Sequence, residues 1–114
     1  MLFNEGIMSA RNAIYKICTI DEWELAQTIG EYRGSDDDMR DGFIHFSTQS
    51  QLHGTLEKHF KGRKNLIILK IDTKRLDQSL LKWETSRNNE KFPHLYGYLN
   101  IDAVIDHEVL LESE

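Results

Sequence analysis

One cysteine and one proline are all that the 114 residues hold of either type. With no second thiol, Cys18 can form no disulfide within the chain, so a disulfide framework is excluded and a reducing compartment is expected. No apolar run approaches the roughly 20 residues needed to cross a bilayer. Residues 1–12 lack the apolar centre of a signal peptide, so the expected location is the cytoplasm, with no membrane partner. Excess positive charge is missing too. A net charge of −5 opposes docking on a phosphate backbone, and nucleic acid is not an expected partner. The basic group Lys58, Lys61, Arg63 and Lys64 reads as the solvated end of a helix, where cations offset the macrodipole. Neither a phosphate-binding glycine loop nor a G-x-S-x-G elbow occurs.

What remains is the composition of an ordinary globular chain, 39% hydrophobic and 29% charged. Its length suits one domain, expected over residues 13–114 behind a flexible tail at 1–12. Ile14 to Ile17 reads as a strand. Thr19 with Glu22 has the capping-box form and opens a helix to about Ile29, with Trp23, Ala26 and Ile29 on one face and Gly30 to stop it. Glu31 to Gly42 reads as a polar, solvated loop. Its aspartates Asp36, Asp38 and Asp41 resemble a calcium loop only superficially, because Arg40 and Asp41 occupy the fifth and sixth positions.

Phe43 to Ser47 alternates as a strand, and Thr48 with Gln51 opens a second helix reaching about Lys61, with Leu52, Leu56 and Phe60 as its buried stripe. Asn65 to Asp72 is nearly continuously apolar, the pattern of a central strand covered on both faces. Leu80 to Glu84, His94 to Leu99 and Ala103 to Leu111 supply three more strands, and Pro93 is expected as the first residue of the second of them. The fold class is therefore α+β: one domain, two main helices and a mixed or antiparallel sheet.

Alternation puts Phe43, His45 and Ser47 on one strand face, and His94, Tyr96 and Tyr98 on one face of another. Two strands thus each offer a histidine two residues from a hydroxyl, with Gly97 allowing close approach. Converging, these faces make the wall of a ligand cleft; alternatively, they complete a buried hydrogen-bond network. A metal site is not expected, since His53 and His59, six apart, diverge by about 120° on a helix and Cys18 has no paired thiol.

Ile14-Tyr15-Lys16-Ile17, Gly42 to Thr48, Lys82-Trp83-Glu84 and Phe92 to Gly97 together resemble the bacterial domain of unknown function 952 family over about Ala13 to Leu111. The resemblance implies an ADP-ribosyltransferase-like fold. More distantly, Ile44 to Ser47 and Leu66 to Asp72 are similar to motifs of the RNA 2'-phosphotransferase branch of that fold, with Lys16 standing where that branch carries a histidine that contacts the dinucleotide. What this implies is a small nucleotide-like ligand with NAD as cofactor. His45 would contact its ribose or phosphate, Tyr15 and Lys16 would line the opening, and Lys16 would meet a pyrophosphate as a point charge. Trp83 or Tyr96 would stack on a nicotinamide or base, and Glu84 would steady a developing oxocarbenium charge. The implied catalytic group is His45, Glu84 and His94, and Ser47 and Thr48 join the cofactor-binding set.

Two readings stay open: an ADP-ribosyl-transfer-like enzyme, or a binding module that keeps the cleft without the chemistry, which the lysine at position 16 and the missing RNA-binding domain favour. A third, an interaction domain without a ligand, requires His45, Ser47, His94 and Tyr96 to be fully buried and mutually satisfied. Trp83 could equally be core, and Glu84 a solvated strand end.

Overall fold

A computed structural model describes residues 11–110, which form one α+β domain with antiparallel strand pairing throughout. Strand β1 (Ala13–Thr19) pairs with β4 (Leu66–Asp72), and β4 with β8 (Val104–Leu110), so β4 is the central strand of the larger sheet. Its apolar run is explained by this position. Ile68, Leu69 and Ile71 are fully buried between two cores, each burial being worth about 1.5–3 kcal/mol. One core gathers Ile14, Cys18, Ile67 and Leu69 with Trp23 and Ala26; the other gathers Tyr15, Ile17 and Ile68 with Leu52, Leu56 and Phe60.

Helix α1 (Ile20–Ile29) starts at the expected capping box, with the Thr19 hydroxyl accepting from the Glu22 amide at 3.0 Å and Glu22 accepting from the Thr19 amide at 2.8 Å. Ile29 does not join Trp23 and Ala26 in the core; it is 43% exposed, because the helix ends there and turns away at Gly30. Helix α3 (Gln49–His59) ends before Lys61, with Phe60 as its cap.

The segment expected to be a plain loop is structured. It contains β2 (Glu31–Tyr32) and a short helix, α2 (Asp36–Asp41), whose cap is a second capping box formed by Ser35 and Asp38. Strand β3 (Ile44–His45) then pairs with β6 (Lys91–Leu95), which pairs with β5 (Leu81–Thr85). The expected strand from His94 to Leu99 is broken: β6 ends at Leu95, and β7 (Leu99–Asn100) pairs separately with β2. Pro93 is therefore not a first residue. It is the third residue of β6, where its carbonyl accepts from the Phe46 amide at 3.0 Å while the ring offers no donor of its own.

A short bridge joins the two main sheets. Tyr15 and Ser47 exchange backbone hydrogen bonds of 2.8 and 2.9 Å, so the segment that carries His45 runs from β6 onto β1.

Candidate functional site

That bridge positions the site. Lys16 follows Tyr15 on β1, and alternation aims its side chain at the segment carrying His45. Its ammonium lies 2.7 Å from Asp38 Oδ2 and donates to the His45 carbonyl at 3.0 Å, with only 6% of the Lys16 side chain exposed. Asp38 is the hub. Its carboxylate, 2% exposed, accepts from Lys16, from the Ser35 amide at 2.9 Å, from the His45 amide at 3.1 Å and from His45 Nδ1 at 2.6 Å. A carboxylate only accepts, so the proton of this last bond sits on Nδ1. Burial by itself would raise Asp38, but the bond from His45, the charge and bond of Lys16 and the Ser35 amide outweigh it and hold the carboxyl well below the usual range.

The backbone before the site requires glycine. Gly34 has φ +110°, and a Cβ there would stand 2.9 Å from Asp38 Cβ. Nothing but hydrogen fits beside the hub.

The histidines expected on two strands do meet. His45 and His94 are register partners of β3 and β6, with ring centroids 5.5 Å apart. His94 repeats the arrangement of His45: its Nδ1 lies 2.7 Å from Glu84 Oε1, to which the Tyr96 hydroxyl also donates at 2.7 Å. Burial holds His94 below the ordinary histidine value, the Glu84 bond opposing and the neighbouring His45 adding to the depression. Glu84 is itself lowered, by the bonds from Tyr96 and His94. Phe43 stacks on His94 at 4.1 Å and leans on His45 at 4.5 Å, holding the rings in place.

The site is therefore two carboxylate-oriented imidazoles facing one cavity of about 240 Å³. Tyr15, Lys16, His45, Ser47 and His94 line it, as do Asp38 and Asp41, with Phe60 and Phe92 supplying apolar wall. His45 Nε2 stands 3.1 Å from Asp41 Oδ2. The Thr55 hydroxyl donates to the Gln51 carbonyl at 3.1 Å, so Ser47 Oγ donates to Thr55 at 2.9 Å and keeps acceptor capacity.

Five expected residues stand elsewhere. Trp83 packs against the larger core with the Arg11 guanidinium 4.1 Å over its ring. Thr48 caps α3, where its amide donates to the Gln51 side chain at 3.0 Å. Glu84 and Tyr96 reach the cavity only through His94, and Tyr98 lies under Arg33, 5.3 Å from the guanidinium. Gly97 does allow close approach, since a Cβ there would come 2.9 Å from a Leu80 methyl. The four residues of the ligand-free reading are not all buried: His45 has 38% of its side chain exposed and Tyr96 is 40% exposed. Asp38 was missed by the sequence reading, although Ser35-x-x-Asp38 is itself a capping-box signature.

Among the described residues, no three His, Cys, Asp or Glu side chains are arranged to hold a metal ion, and no helix is long and apolar enough to cross a membrane.

An antiparallel α+β domain of this kind is shared with known structures. The crystal structure of protein CC0527 from Caulobacter crescentus is similar, with a TM-score of 0.82 and 41% identity over 86% of this chain and 85% of that one. The solution structure of CC0527 gives a TM-score of 0.76 at 40% identity, over 87% of this chain and 84% of that one. Residues 17–107 match the family described as Protein of unknown function (DUF952), and the chain belongs to it. No curated protein matches the sequence.

Proposed function

We propose that this chain binds a nucleotide-like ligand, of the NAD or ADP-ribose kind, in the His45–His94 cavity and acts on its ribosyl part by proton transfer, as a distant ADP-ribosyltransferase-like relative. The observation that carries the reading is the pair of imidazoles 5.5 Å apart, each with Nδ1 on a carboxylate. A carboxylate on Nδ1 fixes each ring; in His94 this leaves Nε2 for a reactant, whereas His45 Nε2 rests on Asp41. His94, kept neutral by burial, suits the base. His45, held at its two nitrogens by Asp38 and Asp41, is the ligand contact beside it. Asp38 and Glu84 are positioning residues in this scheme: His94 takes a proton from a water whose oxygen bonds to the ribosyl carbon as the bond to the base breaks, the base leaves with that electron pair, and the proton passes from His94 to solvent.

A whole dinucleotide does not fit the cavity, whose volume is below the roughly 300 to 1,000 Å³ of drug-sized ligand sites. One end of it does. A thermal-shift titration tests binding: a ligand at about 100 times its Kd stabilises by roughly 2.7 kcal/mol, several degrees in a domain of this size. NAD or ADP-ribose is expected to raise Tm, His45→Ala to remove that rise, and nicotinamide release from NAD to depend on both histidines. No shift at millimolar ligand overturns the proposal.

A second reading, a binding module without catalysis, draws on Lys16. Its ammonium is bound to Asp38 and is not available to a pyrophosphate as a point charge. Binding without product release would select it.

A further inference from the structure

We propose that the moiety received inside the cavity carries no phosphate: it is a neutral or cationic ribosyl or base-ribosyl group, and a phosphate in the same place is rejected. This rests on the preceding reading that the ligand is nucleotide-like.

The argument is a charge account of the wall. Among the described residues, two lysine or arginine side chains line the cavity, Lys16 and Arg40. Both are spoken for. Lys16 is buried on Asp38 at 2.7 Å, and Arg40 reaches Asp37 at 3.0 Å and Asp41 at 3.4 Å. Three aspartates, Asp37, Asp38 and Asp41, line the same cavity, so each of these cations already faces a carboxylate and the lysine, arginine and aspartate charges alone leave one carboxylate in excess. A phosphate recognised by protein ordinarily meets an arginine fork or an unpaired ammonium. This wall offers neither, and its carboxylates repel a dianion at close range.

The same wall suits hydroxyls. Asp37 and Asp41 accept, and Ser47 Oγ retains acceptor capacity because its proton goes to Thr55. Ribose hydroxyls are donors to such groups. Phe60 and Phe92 add apolar surface for the flat face of a base. About 240 Å³ suits one such unit, with any phosphates left outside in solvent.

The test compares each nucleoside with its own 5'-monophosphate on the full chain by calorimetry at low salt: adenosine with AMP, and nicotinamide riboside with nicotinamide mononucleotide, alongside NAD and ADP-ribose. The nucleosides are expected to bind about tenfold more tightly than their monophosphates, a difference that narrows as salt is raised. In the Asp37→Asn/Asp41→Asn double variant the preference is expected to shrink toward one. Monophosphates that bind as tightly as nucleosides or more tightly, or a preference unmoved by the double variant, overturn the inference and leave the nucleotide-like reading standing. If none of the six compounds binds, that reading fails and this one with it.

Discussion

Asp38 Oδ1 accepts from both the backbone amide and the ring Nδ1 of His45, at 3.1 and 2.6 Å, so one carboxylate oxygen holds the position and the orientation of one histidine. The other oxygen holds the buried ammonium of Lys16. Charge neutralisation and ring placement are thus a single piece of structure.

Breaking that piece from one side is expected to be costly. Asp38→Asn leaves the Lys16 ammonium buried without its counter-charge, a loss of about 3–5 kcal/mol. At roughly 4–8 °C per kcal/mol for a domain of about this size, thermal unfolding should show Tm falling by more than about 10 °C. Removing both charges with Lys16→Met/Asp38→Leu should recover much of that loss, and a double-mutant cycle measures the coupling.

Acid should unfold the protein in two stages. His94 is depressed from 6.5 chiefly by burial, with His45 adding to this and Glu84 and Asp38 opposing it. The unfolded chain therefore binds the proton first, and stability present above about pH 6.5 declines as the pH falls below it. Asp38, lowered from 3.8, stabilises above that value and loses its contribution at still lower pH. Melting curves from pH 8 to pH 3 should show both declines, and His94→Gln should remove the upper one alone.

Glu84 and His94 should be separable by titration. The Glu84 bond and charge raise His94 against the effect of burial, so Glu84→Gln should move the His94 titration, followed by NMR, to lower pH. An unchanged or higher midpoint would contradict the pairing. Tyr96→Phe removes the larger of the bonds that lower Glu84, and should raise the Glu84 titration.

Two glycines should respond differently to alanine. Gly42, at φ +86°, has nothing within 4 Å of an added Cβ, so Gly42→Ala should cost about 1–2 kcal/mol of left-handed strain. Gly34→Ala carries the same strain and also meets Asp38 Cβ, whose movement would disturb the hub. Chemical denaturation should therefore find Gly34→Ala the more destabilising.

Trp83→Leu should lower Tm without changing ligand affinity, because Trp83 packs on the core rather than in the cavity. A selective loss of binding would return Trp83 to the site.

Much of this was legible along the chain where the cause is local. The Thr19 box, the both-faces burial of β4 and the shared faces of His45 and His94 follow from spacing alone, since caps and strand alternation depend on a few neighbouring residues. The break after Leu95 did not follow: the alternation continues through Tyr96 to Leu99, and only the separate pairing of β2 with β7 interrupts it. Nor did the role of Asp38. Three consecutive aspartates look solvated until a lysine 22 positions away is buried against one of them.

The sequence by itself determined which side chains share a strand face, where two of the helices begin, and that the family's motifs surround two histidines. Tertiary structure decided that β3 pairs with β6 in the register that sets His45 opposite His94, and that β1 bridges to Ser47 and delivers Lys16 to Asp38. The physical reason is range. Alternation and capping are set by neighbours in the chain, whereas the charge state of a cavity wall depends on which distant ionised groups are buried within reach of one another.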